Sequence, residues 1–264
     1  MIVCTLGDLL LDVIVRLDSR LAPGDDAAAR TTLAPGGQAA NVAAWATALG
    51  AQARVIAVQA NDDAGAVLQR ELSGRGVDVR GPGGERTGIV VSLVQPEGDR
   101  TMASDRGSAP ALRSEDLEAE WLECDALHLS GYSLMRASID GAAERAAELA
   151  RTHDANVSVD LSSWTHIERF GDTMRDALAR IRPDVVFGNE REWQAIGDVA
   201  ASVRVVKRGR RGISVDGIDH AAIPVEALDS TGAGDALAAG FILGGPQLAL
   251  ETAARCVAQV GAMP

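Results

Sequence analysis

Two hydroxyl residues, two glycines and an acid stand in immediate succession at Asp229-Ser230-Thr231-Gly232-Ala233-Gly234-Asp235. An Ala-rich apolar run, Ala236 to Ile242, follows. Glycine at 232 and 234 lets the backbone turn sharply and approach a ligand with no Cβ between. The run beyond has high helix propensity apart from Gly240. A Gly-rich turn opening a helix presents free N–H groups backed by the positive end of the helix dipole. That arrangement suits an anion, phosphate best of all. Asp235 is unfavourable beside a phosphate unless it takes a proton, and it stands where it could deprotonate an alcohol attacking phosphorus. On these residues alone it reads equally well as a first-turn acid favoured by the dipole.

Other polar residues sit in comparable places. Pro35-Gly36-Gly37-Gln38-Ala39-Ala40-Asn41 opens an apolar run that stops at Gly50. Gly37 allows a substrate close to the backbone, and Asn41, one turn on, can donate to and accept from a hydroxyl. Taken by itself, Asn41 is simply a polar residue on an Ala-rich helix. The strand-like Ile2–Leu6 ends at Gly7-Asp8, and Asp12 precedes Val13-Ile14-Val15. Acids after a buried first strand lie near the edge where α/β sheets bind ligands. A turn residue and an exposed strand acid are the plain alternatives. Asn189 and Glu192 open another helix, readable as an oxygen shell for a hard cation or as an ordinary helix start. Lys207, Arg208, Arg210 and Arg211 crowd four cations around Gly209, enough to offset triphosphate charge or to make a solvated basic turn. Arg106 carries a planar fork suited to anions, although exposure is the commoner fate of an arginine. His128 reads as a packed strand residue.

Together these stretches resemble the ribokinase-like (PfkB) family of carbohydrate kinases. Asp-Ser-Thr-Gly-Ala-Gly-Asp before Ala-Leu-Ala-Ala-Gly-Phe is similar to the family's C-terminal signature, and Gly-Gly-x-x-x-Asn to its N-terminal one. They stand in the family's order, about 190 residues apart. Gly-x-x-x-x-Asp ending at Asp12, Asn189-x-x-Glu192, Val206-Lys207-x-Gly209-x-x-Gly212 and Gly261-Ala262-x-Pro264 extend the likeness over nearly the whole chain. The resemblance implies transfer of the γ-phosphate of ATP to a hydroxyl of a sugar or nucleoside. Asp235 would be the base, with Gly232, Ala233 and Gly234 forming the anion hole. Asp12, Gly36, Gly37, Asn41 and Arg106 would contact the sugar. Ser230, Thr231, Lys207, Gly209 and Gly212 would lie on the nucleotide side. Asn189 and Glu192 would help hold Mg²⁺ through water, and the resemblance admits K⁺ near Asp229. It further implies a β-lid over the sugar that often serves as a dimer interface. The segment between Trp193 and Val203 and the tail after Phe241 are short for the family, which implies trimmed helices on the adenine side.

The elements that must position these residues follow from the pattern. Beyond Asp125, strand-like runs (Ala126–Leu129, Val157–Leu161, Asp184–Phe187, Val203–Val206) alternate with helical ones (Ala137–Ala150, Asp172–Ile181). Such alternation predicts parallel βαβ units, hence an α/β fold with a mostly parallel sheet flanked by helices on both faces. Upstream, Ala53–Val58 is a predicted strand and Asp62–Leu72 a predicted helix. The runs 86–94 and 100–104 flank Gln95-Pro96-Glu97-Gly98-Asp99, a hairpin signal. With residues 13–34 they are expected to form the small lid of a single domain spanning 1–264.

Composition sets the outer bounds. Of 264 residues, 47% are hydrophobic but only 3% aromatic, so the core must be built of Ala, Val and Leu. A net charge of −12, spread along the chain, argues against a nucleic-acid or anionic-membrane surface. Three isolated cysteines, Cys4, Cys124 and Cys256, suggest a reducing cytoplasm and no zinc site. No basic leader and no apolar run of ~18 residues are present, so a soluble protein is expected. Gly-x-Gly-x-x-Gly after the first strand and a Walker A pattern are both absent, which disfavours dehydrogenase and P-loop readings. A nucleoside kinase of the same family, or a sugar- or nucleotide-binding protein without turnover, are the alternatives.

Overall fold

The computed structural model describes residues 1–97, 100–134 and 141–264, Arg100 by its backbone alone. The chain opens with β1 (Ile2–Leu6), β2 (Leu10–Leu17), β3 (Ala29–Gly36), α1 (Gln38–Ala48), β4 (Gln52–Ile56), β5 (Gln59–Ala60) and α2 (Asp63–Gly74). Next come β6 (Val77–Arg80), β7 (Gly83–Gly84), β8 (Gly88–Val94), β9 (Arg100–Asp105), β10 (Ala126–Ser130) and α3 (Ala142–Arg151). Then β11 (Asn156–Asp160), α4 (Trp164–Ile181), β12 (Val185–Asn189), α5 (Glu190–Ile196) and β13 (Val203–Lys207) alternate. The hairpin β14 (Ile213–Val215) and β15 (Ile218–His220) precedes the long α6 (Ala233–Val257).

The large sheet runs β15-β14-β13-β12-β11-β10-β1-β4-β6 and is parallel from β13 to β6. Only the edge hairpin is antiparallel. Burial alternates along β1 as a two-faced sheet requires. Cys4 and Leu6 join Leu127, Leu129 and the helices α3 and α4 on one face, while Val3 joins Val55, Ala39, Ala43 and Leu68 on the other. Each fully buried Val or Leu among them contributes roughly 1.5–3 kcal/mol. α1 is buried along almost its whole length because its residues are mostly Ala, small enough to fit between the sheet and α6.

The chain leaves β1 in both directions. β4 and β6 build outward on one side and β10 to β13 on the other, so the order reverses between β1 and β10. That is the switch point at which open α/β sheets form a crevice at their carboxyl ends. A second sheet, β3-β2-β8-β9, stands apart from the first, and its strands cover residues 10–17, 29–36, 88–94 and 100–105.

Two local expectations change. α4 begins at Trp164, not Asp172: the helix continues through a break at Phe170, so Gly171-Asp172 is a kink and not a start. The hairpin β14–β15 was not anticipated, because three-residue strands carry too little alternation to read. The expected helix start at 137–140 and the turn residues Gly98 and Asp99 lie outside the described residues. In the short segment after Trp193, α5 runs only three residues further, to Ile196. The tail after Phe241 continues as helix past a break at Gly244 and Gly245. Among the described residues, no helix is long and apolar enough to cross a membrane.

Candidate active site

The crevice at the switch point is a cavity of about 850 Å³. Its floor is made by Asp8 after β1, Ser130 at the end of β10, the start of α1 and the start of α6. Its roof is the second sheet. Successive side chains of a strand alternate, so Asp12 and Ile14, Val90 and Ser92, and Met102 and Ser104 all face the cavity from three neighbouring strands. Tyr132 and His166, packed edge to face at 5.4 Å, close one end.

Asp235 lies in the first turn of α6 on the cavity floor and is 8% exposed. Gly232 caps the helix in the left-handed region (φ 75°), where a Cβ would stand 2.6 Å from the backbone of Ala262. No side chain caps this helix, and Ala233 N donates to Ser230 O at 3.3 Å within the turn that opens it. Burial pushes the Asp235 carboxyl up to about 7, and the charge of Asp160 adds to the rise. Asn41, Lys207 and Gln38 oppose that rise by favouring the ionised form. Asn41 Nδ2 donates to Asp235 Oδ2 at 2.7 Å across 194 residues of sequence. A carboxyl titrating near neutrality is matched to proton transfer at that pH.

Asn41 is buried, and its Oδ1 has no hydrogen-bond partner. An orphaned buried acceptor costs about 1–3 kcal/mol, so such an atom beside a cavity fits a hydroxyl-bearing ligand. Gly37 begins α1 at φ 96°, and a Cβ there would lie 2.1 Å from Asp8 O. The Asp12 carboxylate packs over Gly36, where a Cβ would meet it at 2.3 Å. Asp12, Gly37, Asn41 and Arg106 all line the cavity. Arg106, however, donates Nε and Nη2 to Asp8 at 2.5 and 2.6 Å. Its fork is spent on a partner within the protein and ties the strand end after β9 to that of β1.

On the opposite side, Lys207 ends β13 with its Nζ 2.6 Å from Asp160 Oδ2. A Cβ on Gly234 would lie 3.3 Å from that Nζ, so the ammonium sits against the Gly-rich helix start. Burial opposes the Lys207 charge, but Asp160 and Glu192 outweigh it and hold the ammonium above its ordinary value. Asn189 and Glu192 form a capping box at the start of α5: Oδ1 accepts from Glu192 N at 2.9 Å, and Glu192 Oε2 from Asn189 N at 2.7 Å. Glu192 is buried, which raises its carboxyl. Gly209 and Gly212 shape the turn after β13 through positive φ. Arg208 pairs with Asp219 and Arg211 with Glu190, so these two of the four expected counter-cations have acidic neighbours of their own. Ser230 and Thr231 line the cavity next to Gly232. Asp229 holds that loop, accepting from Thr231 N and Oγ1 at 2.9 and 2.6 Å and from Gly261 N at 3.2 Å. Among the described residues no cluster of three or more His, Cys, Asp or Glu side chains could hold a metal by itself.

Sequence reasoning missed Asp160, Gln38, Ser130, Ser162, Tyr132 and His166. Asp160 carried a faint signal as an acid ending a buried strand, the same logic that singled out Asp8. His128 is a packed core residue as expected: buried, pushed down to about 4 by burial, and 2.9 Å from Ser158 Oγ.

Two glycine-started helices, one bearing the acid and the other the amide that grips it, meet at the switch point under a second sheet. A model of the pfkB family of carbohydrate kinases matches residues 2–263. The chain belongs to this family. An ATP-dependent ribose-1-phosphate kinase of Halopiger xanaduensis is 31% identical over 96% of this chain and 90% of its own. Among solved structures, the adenosine kinase from Sinorhizobium meliloti superposes with a TM-score of 0.87 at 23% identity, covering 99% of this chain and 95% of that one. A putative Ribokinase II from Escherichia coli in complex with ATP and Mg²⁺ gives 0.78 at 24% identity, covering 99% and 94%. This pfkB-family kinase therefore has its acid, its amide and its Gly-rich turn in one crevice of a ribokinase-like fold.

Proposed function

We propose that the protein transfers the γ-phosphoryl group of ATP to a hydroxyl of a small, uncharged sugar, with Asp235 as the base. The observation that carries this reading is the buried carboxyl of Asp235, raised to about 7 and held by Asn41 beside the turn at Gly232. Asp235 accepts the proton of the attacking hydroxyl, and the N–H groups of Ala233, Gly234 and Asp235 hold the transferring phosphoryl oxygens. The cradle fits such a group: it is uncapped, free of Cβ at 232 and 234, and flanked by the Lys207 ammonium. Ser230 and Thr231 flank the same turn, and Gly209 and Gly212 let the chain pass close to the nucleotide. Glu192 and Asn189 would help hold Mg²⁺ through water. A metal held there would supply positive charge to offset that of the phosphates. Asp229 is already engaged by Thr231 and Gly261, so K⁺ is not part of this proposal.

On the acceptor side, Asp12 accepts hydroxyl protons over Gly36, and Asn41 Oδ1 accepts another. Of the described arginines that line the cavity, Arg106 is committed to Asp8 and Arg16 lies 3.6 Å from Asp229, so both already have acidic partners. That balance favours an uncharged acceptor over a sugar acid or sugar phosphate. A nucleoside is the second reading, favoured by the apolar and aromatic wall of Ile14, Val90, Met102, Tyr132 and His166. Residues 13–34 and 86–104 would act as the lid of a single domain. Leu33 and Ile89, both exposed on the lid strands, favour pairing with a second copy there. Sedimentation should then give a dimer that Leu33→Glu dissociates; a monomer at all concentrations refutes the pairing.

A coupled ATP-turnover screen over ketoses, pentoses, nucleosides, keto-deoxy sugar acids and sugar phosphates tests the main reading. Turnover should be highest with a neutral sugar. Turnover confined to anionic acceptors would reject the charge argument, and none with any acceptor would reject the kinase reading.

A further inference from the structure

Trp45 stands four residues after Asn41 on α1, so the two side chains leave the helix on one face, one turn apart. Asn41 meets Asp235 in the first turn of α6. Trp45 meets the far end of the same segment: its Nε1 donates to Ala262 O at 2.8 Å, across 217 residues of sequence. The side chain is 1% exposed, and a buried indole N–H needs such an acceptor. Trp45 is not among the described residues that line the cavity, so it acts on a ligand only through what it holds.

Ala262 is where the chain returns to the turn that opens α6. The helix breaks at Gly244 and Gly245 and its second half doubles back over Gly240, where a Cβ would lie 2.6 Å from Leu248 O and 2.7 Å from Thr252 Oγ1. The residues beyond then run against the loop before Gly232. Val257 O accepts from Leu228 N at 2.7 Å, and Gly261 N donates to Asp229 Oδ2 at 3.2 Å. The Cys256 thiol, 3.3 Å from Thr231 O and 4.0 Å from Ala262 O, directs its proton to the nearer oxygen. Ala262 itself packs on Gly232: its Cα and O would stand 2.6 Å, and its Cβ 2.7 Å, from a Cβ at that glycine. The oxygen that accepts from Trp45 is therefore one of the atoms against which the turn rests.

We propose that Trp45 is a positioning residue for the Gly232 turn, holding Ala262 where it sets the direction of the N–H groups offered to the terminal phosphate of the nucleotide. The inference rests on the phosphoryl-holding role proposed for that turn. α1 thereby grips the start of α6 twice, through Asn41 on the acceptor side and through Trp45 and Ala262 from behind. A packing role alone has a different consequence: loss of the indole would lower the melting temperature and leave the folded protein's ligand preferences as they were.

The experiment compares wild type with Trp45→Phe, which keeps a ring in the core and removes the N–H. Mg²⁺·AMP-PNP, a non-hydrolysable triphosphate, and AMP, which ends at its first phosphate, are the probes. In ¹H–¹⁵N spectra the indole signal missing from Trp45→Phe identifies Trp45 among the four tryptophans. In wild type that signal should move with Mg²⁺·AMP-PNP and stay in place with AMP. By calorimetry well below the melting temperature, Trp45→Phe should bind AMP-PNP roughly 3–10-fold more weakly and AMP equally well. With ATP and D-fructose or D-ribose, kcat should fall about tenfold, less than the loss of a whole phosphoryl donor would cost. Acceptor KM and the pH profile should hold, since Asn41 and Asp235 are untouched.

An indole signal that ignores AMP-PNP would overturn the inference, as would equal weakening of both nucleotides, an unchanged kcat, or a lowered melting temperature with no other change. Should Trp45→Phe fail to fold, the wild-type indole signal, assigned through triple-resonance spectra, decides: movement with AMP-PNP and not AMP supports the inference, and no movement refutes it. If AMP-PNP does not bind wild type, the nucleotide reading and the inference fall together. If the affinities split as stated and neither sugar is phosphorylated, the reading of these acceptors fails and the positioning stands.

Discussion

The helix starts at Gly37 and Gly232 contrast with the one at Asn189. All three follow strands or turns near the carboxyl edge of the sheet, yet they meet their first N–H groups differently. α5 satisfies itself: Asn189 and Glu192 exchange hydrogen bonds in a capping box before any ligand arrives. α1 and α6 begin on glycines at φ 96° and 75° with no side-chain cap, and they open on the cavity. A capped start spends its donors and acceptors on stability, at about 1 kcal/mol. An uncapped start leaves them for chemistry. The two glycine-started helices also pack together and share the Asn41–Asp235 bond, so each one's polar residue is held by the other.

The strongest way to break this contrast is Asp235→Asn, read beside Asn41→Ala. Asp235→Asn keeps the shape and removes the base, so kcat should fall by about 10²–10⁴ while sugar and ATP affinities change far less. Asn41→Ala should instead act mainly on acceptor KM, because its bonds exist before the transition state. Near-normal turnover in Asp235→Asn would take the base out of the mechanism. The same variant sharpens the contrast through stability. Folding raises this carboxyl from 3.8 to about 7, so its stabilising effect belongs to the protonated form and is lost as pH climbs through 7. At ~1.4 kcal/mol per pH unit, Asp235→Asn should gain on wild type by on the order of 4 kcal/mol above pH 8 and by little near pH 4. Thermal unfolding of the ligand-free protein across that range would show it. A constant difference would place the penalty elsewhere.

The smallest effect is expected at the capped start. Asn189→Ala should cost about 0.5–2 kcal/mol of stability through the lost cap. It should raise the Mg²⁺ needed for half-maximal turnover only modestly. A large Mg²⁺ requirement with an unchanged melting temperature would reverse the contrast and make α5 a ligand site first.

Much of this site was legible before folding was considered. Glycine before an acid or an amide at a helix start is a local instruction, so Gly37, Asn41, Gly232 and Asp235 were visible as candidates, and the family resemblance chose between a site and an ordinary helix start. Strand–helix alternation after Asp125 likewise specified a parallel sheet with helices on both faces, since that pattern has few other ways to bury its apolar sides. Arg106 and the basic turn were equally visible, but their partners were not. An arginine's sequence position does not say whether its fork meets a ligand or, as here, Asp8.

Sequence by itself thus determined which backbone stretches could cradle an anion and which side chains could move a proton, because both depend on neighbours within one turn. Tertiary structure decided who faces whom. Asn41 reaches Asp235 across 194 residues, Ser162 reaches Gln38 across 124 and Lys207 reaches Asp160 across 47. Those pairings follow from the order of strands in the sheet and the packing of α1 on α6, which are set by burial summed over the whole chain and leave no mark at the residues they join.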